Sequence, residues 1–166
     1  MGYAAKAIAN YFLELAAKES EKITPLKIQK LVYIAHGWYL ALYEKPLVHD
    51  EFAEAWEYGP VFPSIYHEFK HFGGEPIAKP AMDIEYNELS DEWEAWKPHV
   101  LGNDKNTRAF LNHIWKLYKG FTGGQLSALT HEEGTPWEKT RNEKGEIRNA
   151  HIENQDIEDY YKGRLK

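Results

Sequence analysis

A chain of 166 residues with 43% hydrophobic and 14% aromatic content can bury one sizeable core but not two. It has no cysteine, which excludes disulfides, thiolate metal sites and cysteine nucleophiles and fits a reducing compartment. A net charge of −6 disfavours a simple electrostatic hold on nucleic acid, and with no bilayer-length apolar run and no secretion-type N-terminus a cytoplasmic protein without a membrane partner is expected.

Taken in order, residues 4–18 carry Ile8, Phe12 and Leu15 on one face beside Ala5, Ala9 and Ala16, with Lys6, Asn10, Glu14 and Lys18 opposite. This spacing predicts an amphipathic helix. The short polar link Glu19 to Ile23 then leads into a second helix from Thr24 to Tyr43, with Thr24 as N-cap and Pro25 at the first helical position, where no donor is missed. Ile28, Leu31, Val32, Ala35, Trp38, Tyr39 and Leu42 recur at three- and four-residue steps, and Leu26, Ile34, Leu40 and Ala41 widen the stripe. The second half of this central helix is expected to be buried almost all round, with the first helix packed on it. Pro46 ends it.

Between Leu47 and Tyr58 the period shortens towards two, which predicts a short strand broken by Gly59-Pro60. Pro63 opens a helix over 64–72 that stops at Gly73-Gly74. Residues 75–103, with three prolines and the acidic run Glu85 to Glu94, read as short strands or loops. From Asp104, Phe110, Leu111, Ile114, Trp115, Leu117 and Tyr118 make a core helix. Thr122 caps a further short helix through Leu129, whose first turn Gly123 and Gly124 weaken. The chain is polar from Glu138 to His151, and Asn154 is expected to cap a last helix carrying Ile157, Tyr160 and Tyr161. The fold class is mainly α (α+β): a helical core with a small β element between the second and third helices.

Several constellations bear on chemistry. His67-Glu68-Phe69-Lys70-His71 is an H-E-x-x-H, the helical pattern in which two imidazoles one turn apart hold zinc and the glutamate serves as general base. Its extended form fails at Ile77, which cannot ligate a metal. A zinc hydrolase using His67 and His71 is therefore an alternative to a solvated helical face. No G-x-S-x-G, P-loop or dinucleotide glycine pattern occurs. His131 among Glu132 and Glu133 suits either an acid–base role or a helix C-terminal one. Trp56, Tyr58, Phe62 and Tyr66 crowd a rigid turn at Gly59-Pro60, a composition that serves equally as a protein-binding surface or as a buried corner.

Three blocks together resemble a known family. Ile23-Thr24-Pro25-Leu26-Lys27-Ile28-Gln29-Lys30-Leu31 with Tyr33, Ala35, Gly37 and Leu40 is similar to the first signature of the Panacea-domain antitoxins, with Ile28 where leucine is usual. Glu54-Ala55-Trp56, Tyr58-Gly59-Pro60-Val61, Pro63 and Tyr66 resemble the second, and Leu129-Thr130-His131, Pro136-Trp137 and Arg141 the third. The likeness spans nearly the whole chain, so it implies one Panacea-like domain over 1–166, with the polar segment 138–166 packing a short terminal helix. It implies a non-enzymatic role without cofactor: neutralisation of a cognate toxin by direct binding, with delivery to the ClpXP protease in some members. The partner-binding residues it implies are Trp56, Tyr58, Pro60 and Tyr66 with Thr130, His131 and Trp137, and with Lys27, Gln29 and Lys30 as the polar edge of the central helix. The segment 75–105 matches little, and is one place where partner choice could vary.

Overall fold

The computed structural model describes residues 2–165, which form seven α-helices and two two-stranded antiparallel hairpins. The helices are α1 (Ala5–Lys18), α2 (Pro25–Tyr43), α3 (Pro63–Phe69), α4 (Lys105–Tyr118), α5 (Gly123–His131), α6 (Pro136–Lys144) and α7 (Asn154–Lys162). One hairpin, β1 (Glu54–Trp56) with β2 (Gly59–Val61), lies between α2 and α3; the other, β3 (Asp83–Asn87) with β4 (Glu92–Trp96), lies between α3 and α4.

Helix α2 is the hub: α1, α3, α4, α5, α7 and β2 all pack against it. It starts where Thr24 Oγ1 accepts the Lys27 N–H at 3.3 Å, and it stops at Glu44, whose left-handed φ of 56° closes the last turn. Residues 27–37 are buried without a break, so here the stripe becomes a full circumference. The enclosure runs on through the second half as expected, with Trp38 alone half-buried before Ala41, while Leu26 in the first turn and Leu42 and Tyr43 in the last emerge into solvent. Gly37 is where α7 crosses, because a Cβ there would lie 2.2 Å from the Tyr161 ring.

Around α2 the apolar faces of α1 and α4 meet through Phe12 and Trp115, both fully buried, with ring centroids 6.4 Å apart. Burying such a side chain contributes about 2–3 kcal/mol. Trp115 keeps its polar end satisfied by donating Nε1–H to Glu19 at 2.8 Å.

Capping explains most helix starts. Asp104 accepts the Thr107 N–H at 3.1 Å, and Thr135 accepts that of Glu138 at 3.3 Å. Thr122 and Gln125 form a reciprocal capping box, so α5 has a firmer first turn than its two glycines suggest.

Other expectations change in detail. Gly59-Pro60 opens β2 rather than ending the β element, and the strand before it is confined to Glu54–Trp56. On its other edge β1 bonds to the 150–152 segment, through Ala55 N–H to Ala150 O at 2.9 Å and Ile152 N–H to Ala53 O at 2.8 Å. The helix expected over 64–72 is α-helical only to Phe69 and continues as one 3-10 turn, Lys70–Phe72. The polar stretch after Glu138 holds α6, and α7 has Glu153 rather than Asn154 at its N-cap, because the Asn154 side chain is spent on His36 at 3.0 Å.

Candidate functional site

The β1–β2 hairpin turns through Glu57 and Tyr58 with only three residues in each strand, too few to satisfy its carbonyls by strand pairing alone. Side chains from three helices take over. Lys30 Nζ of α2 donates to Pro60 O at 2.8 Å, Ser127 Oγ of α5 to Tyr58 O at 2.8 Å, Trp137 Nε1 of α6 to Trp56 O at 2.6 Å, and Arg141 Nη1 of α6 to Ala55 O at 3.1 Å. Just beyond, the Gln29 amide reads both sides of Phe62: Nε2 donates to its carbonyl at 3.0 Å and Oε1 accepts its N–H at 2.9 Å.

The three sequence blocks are thus one structure, a hairpin held by side chains of α2, α5 and α6. Gly59 is required twice over. Its φ of +112° disfavours any side chain, and a Cβ would approach Lys30 Nζ to 2.9 Å.

In front of the hairpin lies an open cleft of about 780 Å³ between the first turns of α2, the hairpin, α3 and the segment after α6. One wall is a stack: the Arg148 guanidinium lies 3.6 Å from the Trp56 ring centroid and 5.3 Å from that of Tyr66, and the two rings meet edge-on at 4.6 Å. Tyr58 stands at the lip, 71% exposed. Lys30, Lys70, Arg141 and Arg148 line the cleft against Glu57 and Glu146, so its charge is opposite in sign to that of the chain.

Lys30 is the unusual member. It is 1% exposed with no carboxylate partner among the described residues, and burial pushes its ammonium down to about 7.

The residues singled out from the sequence divide accordingly. Gln29, Lys30, Trp56, Tyr58 and Tyr66 line the cleft. Pro60 is buried, and its carbonyl receives Lys30. Thr130, His131 and Trp137 lie behind the hairpin: the Thr130 hydroxyl returns to the Leu126 and Ser127 carbonyls at 3.1 and 2.9 Å, and His131 packs edge-on to Trp137 at 5.3 Å.

The expected polar edge of α2 is a correction, since Lys27, Gln29 and Lys30 are all buried. Lys27 points away from the cleft to cap α4, donating Nζ–H to Lys119 O at 2.7 Å. Sequence reasoning missed Ser127 and Arg148. Neither sits in a pattern, and their roles come only from the carbonyl and the ring that the fold places beside them.

The H-E-x-x-H does not assemble a metal centre. Helix α3 ends at Phe69, so His67 and His71 are not one α-turn apart, and Glu68 is held by the Met82 N–H at 3.0 Å and by Lys6 at 3.5 Å. His71 packs instead at a tilt against Phe72, with centroids 4.2 Å apart. Among the described residues no three His, Asp or Glu side chains converge as a metal site. Nor is any described helix long and apolar enough to cross a membrane.

The family model "Antitoxin SocA-like, Panacea domain" matches residues 28–138, which include the hairpin, its supports in α5 and the start of α6. Antitoxin SocA of Caulobacter vibrioides is 33% identical over 141 residues, covering 85% of this chain and 72% of that protein. No solved structure matches. With the family model spanning well over half the sequence and a curated relative aligned over most of both chains, the protein belongs to the SocA-like Panacea-domain antitoxin family.

Proposed function

We propose that the protein is a non-enzymatic antitoxin that neutralises a cognate toxin protein by binding it directly, and that the cleft in front of the β1–β2 hairpin is part of the contact surface. One observation carries the reading: all three blocks of the family resemblance meet at this hairpin, and its free side is a rigid aromatic and cationic cleft with Tyr58 at the lip. Rigid aromatics backed by a braced main chain give large contact area at low entropy cost. Of the third block, Trp137 serves this surface indirectly by holding the Trp56 carbonyl, with His131 packed against its ring and Thr130 bonded within α5.

The test is co-expression with the toxin encoded by the adjacent gene, followed by growth rescue and co-purification. Tyr58→Asp is expected to abolish rescue and complex formation while leaving the circular dichroism spectrum unchanged, because the ring is in solvent. A wild-type protein that neither rescues growth nor co-purifies with the toxin overturns the proposal. Delivery to the ClpXP protease is read out in the same cells: a toxin lifetime shortened only when antitoxin and protease are both present identifies delivery, and an unchanged lifetime identifies blocking.

A further inference from the structure

The β3–β4 hairpin is attached at its base and otherwise stands alone. Asn10, buried on α1, donates Nδ2–H to Ala81 O at 3.0 Å and Pro98 O at 2.8 Å and accepts the Ala81 N–H at 2.7 Å, clamping both legs where they leave the body. Beyond that clamp every residue of β4 is exposed, and among the described residues both outer strand edges lack a backbone partner.

Its register sorts the side chains. Ile84 opposite Ala95 and Tyr86 opposite Trp93 share one face; Glu85 opposite Glu94 and Asn87 opposite Glu92 share the other, with Asp83 opposite Trp96 at its base. The apolar face is uncovered, with Ile84 69% and Trp93 71% exposed and Leu89 at the tip 99% exposed. A two-stranded ribbon is marginal in water, and a concentration of large exposed apolar side chains on one marks an interaction surface.

Charge narrows the partner. Asp83, Glu85, Glu88, Asp91, Glu92 and Glu94 are the only charged residues between Asp83 and Trp96, so the hairpin carries the chain's entire net charge of −6 and the remainder sums to zero. Two such hairpins repel each other, which disfavours edge-to-edge pairing of copies. A cationic surface is complementary.

We propose that the β3–β4 hairpin is a second docking element, which lays its Ile84–Tyr86–Trp93 face on an apolar strip of the toxin rimmed by lysines and arginines. This rests on the toxin-binding reading above and names the chemistry of the partner at a surface separate from the cleft. The acids steer the encounter and the apolar face holds the complex.

The experiment measures binding of the full-length protein to the purified toxin of the adjacent gene over a range of salt concentrations. Ile84→Ser with Trp93→Ser is expected to weaken binding by about tenfold or more. Glu85→Lys with Glu94→Lys, on exposed side chains of which only Glu94 has a partner among the described residues, Asn87 on the same hairpin, is expected to slow association by a similar factor at low salt and to flatten the salt dependence, with the melting temperature little changed. Two variants that bind as tightly as wild type overturn the inference and leave the cleft reading standing. Wild type that fails to bind overturns both. A wild-type dimer in sedimentation, lost in the Ile84/Trp93 variant, shows that a second copy covers this face and also overturns it.

Discussion

His36 and Lys30, nearly two turns apart on α2, show how this helix treats polar groups that face inwards. The His36 Nδ1 accepts the Val48 N–H at 3.2 Å, so the proton resides on Nε2 and is donated to Asn154 Oδ1 at 3.0 Å. Burial lowers the imidazole to about 4. The unfolded chain therefore binds a proton that the folded chain refuses, and the stability present above about pH 6.5 is lost as pH falls towards 4. Chemical denaturation at pH 6.5 and at 4.5 is expected to differ by up to about 3 kcal/mol from this residue, and a His36→Gln variant to show a smaller difference. Lys30 has the same sign at a higher window. With the folded amine near 7, wild type gains stability relative to Lys30→Met by about 1 kcal/mol per pH unit between pH 7 and 9, measured by urea unfolding at each pH. A flat difference would mean that the amine is solvated.

At the scale of elements, the crossing of α2 and α7 depends on Gly37. The Tyr161 ring occupies the space where a Cβ would sit, so Gly37→Ala is expected to cost about 1–3 kcal/mol through overpacking. Pairing it with Tyr161→Leu should recover part of that loss, and a double-mutant cycle reads the coupling. Helix starts were legible in advance because Thr24, Asp104 and Thr122 act within three residues of themselves. Helix α6 was not, since Pro136–Lys144 shows no continuous apolar stripe; it is held by Trp137, Thr140 and Arg141 against the hairpin and its own backbone. The β1–β2 hairpin was half legible. Alternation announced a strand, but Pro60 concealed its partner, because a proline tolerated in a three-residue strand looks like a breaker in isolation.

Over the whole molecule, charge and core are separated. The body is neutral and the β3–β4 hairpin bears all of the excess acid. Replacing residues 83–96 with a short Gly/Ser turn is expected to shift the melting temperature by only a few degrees, since apart from half-buried Asp83 and Asn87 the excised strand residues are exposed, the one tie to α1 lost among the described residues is the Lys6–Asp83 ion pair, and the Asn10 clamp lies outside the cut. The same variant should be less soluble near neutral pH, where its net charge is zero. Light scattering against concentration checks the second outcome; a large loss of melting temperature would show that the hairpin supports the core.

Local pattern alone determined the mainly helical fold, the central place of the Thr24–Tyr43 helix, the caps at Thr24 and Thr122, and the three blocks that carry the family likeness. These depend on interactions within a few residues, which spacing records. Only the tertiary structure decided that Lys30 and Gln29 turn inwards, that the second and third blocks meet across a set of unpaired carbonyls, and that the acidic run folds into a hairpin with one apolar face. Each of these turns on a non-local partner or a strand register, and neither is written in the spacing of neighbouring residues.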